Sequence, residues 1–345
     1  MATYSGNQFL VYCGLHDAVN FGIETQEADG SLHRWNLDTV NDIDFSAGVI
    51  QEFIPRTGQK VLREEDLFST RNGGTYSWSF DWLVDSEEIL QFLVKSSVET
   101  TATGLINVTG AATHATDYVV GASSANTMQL CIVNPDASET RVMHSAVVTE
   151  LTLSMDAGTN GGRLRASGTL WSGFRPKVGT NAVTDGSTVS NTAFNVGLFD
   201  CHAIEIATTQ VTAKAFSFTI SHPATRVGFA VANSNDGEPQ EYIRDRLEIT
   251  GSLNVKMDDS VVAQQPFWLA GTSKAILVGD EGTSQGGSAT KIFFEFPTVK
   301  YTGHNVDLAS EEGVFVELPF TATATGAGKL MYLKLKKFGF LYMVI

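Results

Sequence analysis

The sequence predicts a mostly β chain made of two tandem halves, each with one short helix placed after its most regular strand. Three observations carry this reading. Apolar and polar residues alternate with period two in short runs along the whole chain. Clusters of Gly, Pro, Asn and Asp punctuate those runs. One order of elements, an alternating strand followed by a capped helix, occurs near residue 80 and again near residue 257. In the first copy Tyr76, Trp78, Phe80 and Trp82 share a face opposite Ser77, Ser79 and Asp81, and Asp85 or Ser86 opens an apolar helix. In the second, Gly251, Leu253, Val255 and Met257 alternate with Ser252, Asn254 and Lys256, and Asp259 or Ser260 follows. Repetition of a β-rich unit suggests an object assembled from repeats more than an active site built once.

The elements follow in order. Phe9–Tyr12 and Phe21–Ile23 read as a first strand and turn, and Asp42–Ile54 as a strand pair or one long strand. Pro55–Thr75 is polar, carries both charge signs and ends in Asn72-Gly73-Gly74, so it reads as a long hairpin arm or a mobile loop. Thr75–Trp82 is the clearest strand. Residues 86–96 form the best helix, with Glu87 and Glu88 in the first turn and Lys95 in the last, as the helix dipole favours. Residues 98–126 read as loop with at most one strand. Met128–Val133 and Val147–Met155 are strands, Gly158–Gly162 is a turn, and Arg163–Trp171 is the hairpin partner.

Residues 175–192 lack apolar periodicity and mark a linker. The expected domains are therefore 1–174 and 193–345. In the second, Cys201–Ile206 and Ala215–Ser221 are strands, His222–Arg246 is a long polar connection, and Leu247–Met257 is the key strand. Val261–Leu269 reads as a helix interrupted by Pro266. Lys291–Phe296 and Gly313–Ala322 close the unit, with Val314, Val316, Leu318 and Phe320 on one face, and Leu330–Lys337 adds a last strand. The first half is longer by roughly 30 residues around 98–135.

Composition narrows the function classes. The chain has 345 residues, 43% of them hydrophobic, and a mean hydropathy near zero, which fits a folded and soluble protein. Its formal net charge of -15 does not attract nucleic-acid phosphates or anionic membranes. Cys13, Cys131 and Cys201 are odd in number and far apart, so neither a disulfide framework nor a structural zinc site is expected. No signal peptide or membrane-spanning run is read, which places synthesis in a cytoplasm.

No enzyme is visible. Thr57-Gly58-Gln59-Lys60 lacks the P-loop spacing, and Gly282–Lys291 holds no phosphate fingerprint. His16-Asp17 and Cys201-His202 are neighbours that a strand points to opposite faces. Asn235-Asp236-Gly237-Glu238 lacks calcium-loop spacing. No cofactor, metal or catalytic residue is expected. The informative surfaces are the polar strand faces: Ser77, Ser79, Asp81, Glu150, Thr152, Ser217, Thr219, Glu248, Thr250, Ser252 and Asn254. They are either ordinary solvent-facing residues or the wall of a water-filled channel.

Three stretches carry a resemblance. These are VVTELTLSMDAGTNGGRLRASGTL (Val147–Leu170), SFTIS followed by a long connection and RDRLEITGSLNVKMDD (within Phe216–Asp259), and KIFFEFPTVKY with EEGVFVELPFTAT (within Lys291–Thr323). Together they resemble the major tail tube protein of long, non-contractile-tailed bacteriophages, over nearly the whole chain. The resemblance implies a small β-sandwich with one flanking helix, whose inner strands join those of neighbouring domains into a continuous barrel. It implies rings stacked as a tube in the virion tail, with a tape-measure protein and then double-stranded DNA in the lumen, tail-end proteins as further partners, and no membrane binding. Segment 55–75 sits where the family carries its stacking loop, which makes Arg56, Lys60, Arg63, Glu64, Glu65, Asp66 and Arg71 candidates for ring-to-ring docking. Two domains per chain imply a trimer acting as a pseudo-hexamer. Competing readings are a terminator, baseplate or decoration protein, or a carbohydrate-binding module using Trp35, Trp171 or Trp268.

Overall fold

The structure is a computed structural model that describes residues 9–16, 32–43, 49–53, 67–71, 75–97, 106–109, 117–119, 127–134, 139–179, 196–201, 203–227, 241–279, 292–308, 313–324 and 330–335. The fold is mostly β, as expected. The first half runs β1 (Leu10–His16), β2 (His33–Trp35), β3 (Val49–Phe53), β4 (Leu67–Arg71), β5 (Tyr76–Leu83), α1 (Glu87–Ser96), β6 (Ile106–Thr109), β7 (Asp117–Val119), β8 (Thr127–Asn134), β9 (Glu139–Asp156), β10 (Arg165–Ser172) and β11 (Lys177–Gly179). The second runs β12 (Ala203–Ile206), β13 (Thr209–Gln210), β14 (Ala213–Ser221), β15 (Ala224–Val227), β16 (Glu241–Arg244), β17 (Glu248–Lys256), α2 (Asp259–Val262), α3 (Gln265–Leu269), β18 (Lys274–Gly279), β19 (Ile292–Tyr301), β20 (Asn305–Asp307), β21 (Phe315–Ala322) and β22 (Met331–Leu335).

The strand pairings repeat. β1·β8, β3·β4, β8·β9, β9·β10, β10·β5 and β9·β11 in the first half match β12·β18, β15·β16, β18·β19, β19 and β20 with β21, β21·β17 and β19·β22 in the second. Even the irregularities coincide. The ladder of β8 and β9 slips one residue between Met128↔Ala146 and Leu130↔Met143, and that of β18 and β19 slips between Lys274↔Val299 and Ile276↔Phe296. A bulge inserts an extra residue and bends the strand. Here the first bulge, which includes Ser145 at φ 50, carries β9 out of the sheet with β8 and β11 and into the sheet with β10. A second slip, at Thr149 against β10, is matched by the break between β19 and β20 opposite β21.

Each half buries one face of these strands. Tyr76, Trp78, Phe80 and Trp82 of β5 are buried in the same core as Ile89, Leu90, Leu93 and Val94 of α1, which are fully inaccessible. Trp35 meets Trp78 and Trp82 edge-on and tilts against Phe80 at 4.8 Å. Ser86, one of the two expected caps, starts α1 by accepting the Ile89 amide on its hydroxyl. The second half substitutes Phe216, Phe218, Phe294, Phe296 and Phe320. Each half also sets a glycine against a ring across its inner ladder, Gly168 opposite Phe80 and Gly251 opposite Phe320.

Several expectations are corrected. Pro266 does not interrupt one helix: it opens α3, where its missing N–H costs nothing, and α2 ends before it. Residues 98–126 contain two strands, and β6 lies parallel to β22, so the extra segment of the first half adds to the sheet of the second. Residues 177–179, inside the expected linker, pair with β9. Met257 and Val314 continue the apolar faces of their alternating runs. They lie just beyond the ends of β17 and β21 and are 38% and 37% exposed.

A Cβ at position 251 would overlap the Phe320 ring and the Ser217 carbonyl, neither of which has room to yield inside a paired sheet. Gly251→Ala therefore costs about 1–3 kcal/mol in urea unfolding by overpacking. Gly158→Ala, where the nearest atom stands 3.4 Å away, is expected to leave the midpoint within experimental error. Equal midpoints for the two variants would show that the inner ladder is loosely packed.

Candidate functional site

The polar strand faces belong to one surface. β5, β10, β9, β14, β17 and β21 hydrogen-bond in that order, all antiparallel, and β9·β14 joins the halves. Because side chains alternate, register decides which residues share a row. One row runs Asp81, Ser167, Thr152, Thr219, Thr250, Thr321 across all six strands. The next runs Ser79, Thr169, Glu150, Ser221, Glu248, and a third runs Arg165, Ser154, Ser217, Ser252, Pro319. All eleven wall candidates, Ser77, Ser79, Asp81, Glu150, Thr152, Ser217, Thr219, Glu248, Thr250, Ser252 and Asn254, are thus brought onto one face, none of them buried.

The face is mostly short hydroxyls that bond one another. Thr152 and Thr219 share a 2.8 Å hydrogen bond across the junction of the halves, and the Ser252 hydroxyl donates to Glu317 at 3.0 Å. Acidic residues on this side are Asp81, Glu150, Asp156, Glu248 and Glu317. Arg165 is a cation that the pattern reading missed, because its neutralising partners come from distant segments. Its Nη2 stands 2.8 Å from Asp38 and 2.9 Å from Asp81. The hydrogen bond that Arg165 donates to Asp81 leads the causes that raise the arginine's pKa. Lys256 stands at the end of β17, on the same side.

The second feature is a pair of hairpin arms. β3·β4 and β15·β16 project from equivalent places, before β5 and before β17. Arg56, Lys60, Arg63, Glu64, Glu65 and Asp66 lie outside the described residues, between the paired strands of the first arm. Arg71 ends that arm, opposite Val49, and it holds the ladder position that Arg244 holds opposite Ala224 in the second. The polar connection His222–Arg246 is therefore an arm as well, and its base is fastened to the first half. Arg244 donates to the Ser97 carbonyl at the end of α1 and, at 2.8 Å, to the Val148 carbonyl of β9. The His222 amide donates to Thr149 O at 2.8 Å. Tyr242 packs edge-on against Trp171, and its hydroxyl accepts the Gly173 amide. No local pattern marks His222, Tyr242 or Arg244, since the first-half groups they hydrogen-bond are 69 or more residues away.

His222 is buried, its Nδ1 3.0 Å from Ser97 O and 3.3 Å from Arg244 Nε. Burial, followed by the adjacent guanidinium, lowers its pKa from 6.5 to about 4. Among the described residues no group of three or more His, Cys, Asp and Glu could hold a metal, and no helix is long and apolar enough to cross a membrane. Trp35 is 2% exposed, which removes it as a sugar platform. A family model described as phage tail tube protein matches residues 14–322. No curated protein matches the chain.

The depressed pKa of His222 sets a pH dependence. The native state holds the ring neutral, so the unfolded chain binds the extra proton between about pH 6.5 and 4. The stability contribution is complete above pH 6.5 and is lost as pH falls towards 4. Chemical denaturation across that range is expected to show a fall in stability that His222→Gln reduces. An identical slope in both proteins would assign the acid sensitivity elsewhere.

Proposed function

The chain belongs to the phage tail tube protein family, and from that membership we propose that it is the wall subunit of a tail tube, polymerising as stacked trimeric rings around a lumen that conducts DNA. Family membership makes it a structural component of the virion tail that self-assembles into a tube. The single observation that supports the finer reading is the six-strand polar face running without a break through both halves.

Residues 1–174 and 193–345 are then two tube domains joined by 175–192, whose residues 177–179 pair back onto β9, and they occupy neighbouring positions in the wall. The extra segment with β6 and β7 marks every second position. Each half supplies four inner wall positions: the strands β9, β10 and β5 with the non-strand segment 38–43 beside β5 in one, and β19–β20, β21, β17 and β14 in the other. Three chains make 24, which at about 4.8 Å per strand gives a circumference of roughly 115 Å and a backbone diameter of roughly 37 Å. Strand tilt widens it further. With side chains projecting roughly 5 Å from each wall, the bore still admits a DNA duplex.

The chemistry of the face suits passage. Hydroxyls and carboxylates release no counterions from DNA, so the duplex is not held. Arg165 does not break this rule because Asp38 and Asp81 already neutralise it. A tape-measure protein occupies the lumen before DNA, and tail-end proteins close the tube. The mixed charges of Arg56, Lys60, Arg63, Glu64, Glu65, Asp66 and Arg71 dock one ring on the next with salt-sensitive specificity.

Negative-stain microscopy of the purified protein is expected to show hollow tubes. Persistent monomers over a range of temperature and salt would favour a terminator, baseplate or decoration role, and a ring of six whole chains would overturn the trimer. Reversing Arg63 and Arg71 to Glu is expected to reduce polymerisation several-fold in light scattering while leaving the circular dichroism of the subunit unchanged. Undiminished tube yield would remove the first arm from ring stacking.

A further inference from the structure

The repeated ladders match residues of the two halves one to one. Leu153↔Ala166 corresponds to Val306↔Val316, and Ser154↔Arg165 to Asp307↔Phe315. The bond from Val84 N to Leu164 O corresponds to that from Met257 N to Val314 O. Reading on in this register pairs Val84 with Met257, Leu153 with Val306, Met155 with Leu308 and Leu164 with Val314. Each first-half member is 1% exposed. Their second-half counterparts are 38%, 39%, 80% and 37% exposed.

The cause of the difference is visible. The edge of β9 that carries Leu153 and Met155 is covered by β14 of the second half, with Phe218 opposite Leu153 and Phe216 opposite Met155. Leu164 is covered by the segment that begins the second half, through its amide bond to Val196 O and the neighbouring Gly197 and Leu198. Among the described residues β20 pairs only with β21, so its other edge has no strand. Four apolar side chains are left out of a core that their counterparts complete.

We propose that this edge, β20 with Val306 and Leu308, is covered by the first half of a second copy of the chain, in the register that β9 and β14 use within one copy. The proposal rests on the tube reading and names its ring contact. The segment in the first half on the side of β5 that corresponds to β14 is 38–43, which is not itself a strand but is fastened beside β5: the Trp78 indole donates to Asn41 O, and the Asn41 side-chain amide donates to Ser79 O. In the proposed contact Ile43, which is 1% exposed, comes opposite Val306, and Asp42 comes opposite Asp307. Arg141, already bound to Asp42, offsets the meeting of the two carboxylates. The two surfaces differ, so the contact is head to tail and closes only as a ring. An open strand edge is normally an aggregation hazard, and here closure consumes it.

Leu308→Asp is the first test. The residue is 80% exposed in the single chain, so the variant is expected to fold with an unchanged melting temperature. It is also expected to need at least about tenfold more protein to form rings or tubes, because a carboxylate would be buried in the closed contact. The second test places Asp42→Cys and Asp307→Cys in a Cys201→Ala background, Cys13 and Cys131 being buried. A short bis-maleimide is expected to link chains into covalent oligomers that stop at the ring size. Tubes that form normally from Leu308→Asp and give no links would overturn this contact and leave the tube reading standing. A parent protein that forms neither rings nor tubes would overturn both.

Discussion

The ladder between β9 and β14 is the interaction on which the rest of the molecule depends. Its seven matched positions, Ala215↔Asp156 to Ser221↔Glu150, turn two repeated halves into one sheet. Backbone N–H and C=O groups on a strand edge must be paired or hydrated. Here they are paired by the other half, and the apolar side of the same strands is sealed at once by Phe216 and Phe218 against Leu151, Leu153 and Met155. The second arm is anchored around this ladder, since Arg244 and His222 bond the main chain of β9 and the end of α1 at its margin. Shifting the register by one residue would drive the hydroxyl rows into the core and the rings into solvent.

This constraint joins stability to function. The strands that bury rings on one side must present something on the other, and a surface that lets a polyanion pass must hold few free cations. Short Ser and Thr side chains meet both needs: they suit strands and they bond laterally, as Thr152 does with Thr219 and Ser79 with Thr169. The price is a chain with one edge completed internally and one left open, and in a closed ring no edge remains.

Much of this was legible in the residues themselves. The alternation in Tyr76–Leu83 and Glu248–Lys256 assigned inward and outward faces correctly. Ser86 was one of two marked caps, and the eleven polar-face residues are all partly or fully exposed. What escaped notice depended on partners far along the chain. Arg165 looks like any strand arginine until Asp38 and Asp81 are beside it. Tyr242 and Arg244 look like loop residues until β9 and β10 supply their acceptors and rings. Met257 and Val314 follow the apolar pattern faithfully, yet they are 38% and 37% exposed where Val84 and Leu164 are 1% exposed.

The sequence by itself determined which side of each strand is apolar, where α1 begins and that the unit is repeated. These properties are local: they need only the two-residue period of a strand, the reach of one serine hydroxyl and the comparison of two stretches of pattern. Only the tertiary structure decided which strands are neighbours, that β9 pairs with β14, that β6 joins β22, and that both arms spring from equivalent places. Ladder bonds are made by backbone groups that are the same in every residue, so a strand carries no address for its partner. The choice falls to the packing of all the faces together, and the slips at Ser145 and at Thr149, repeated in the second half, record how that packing was solved twice.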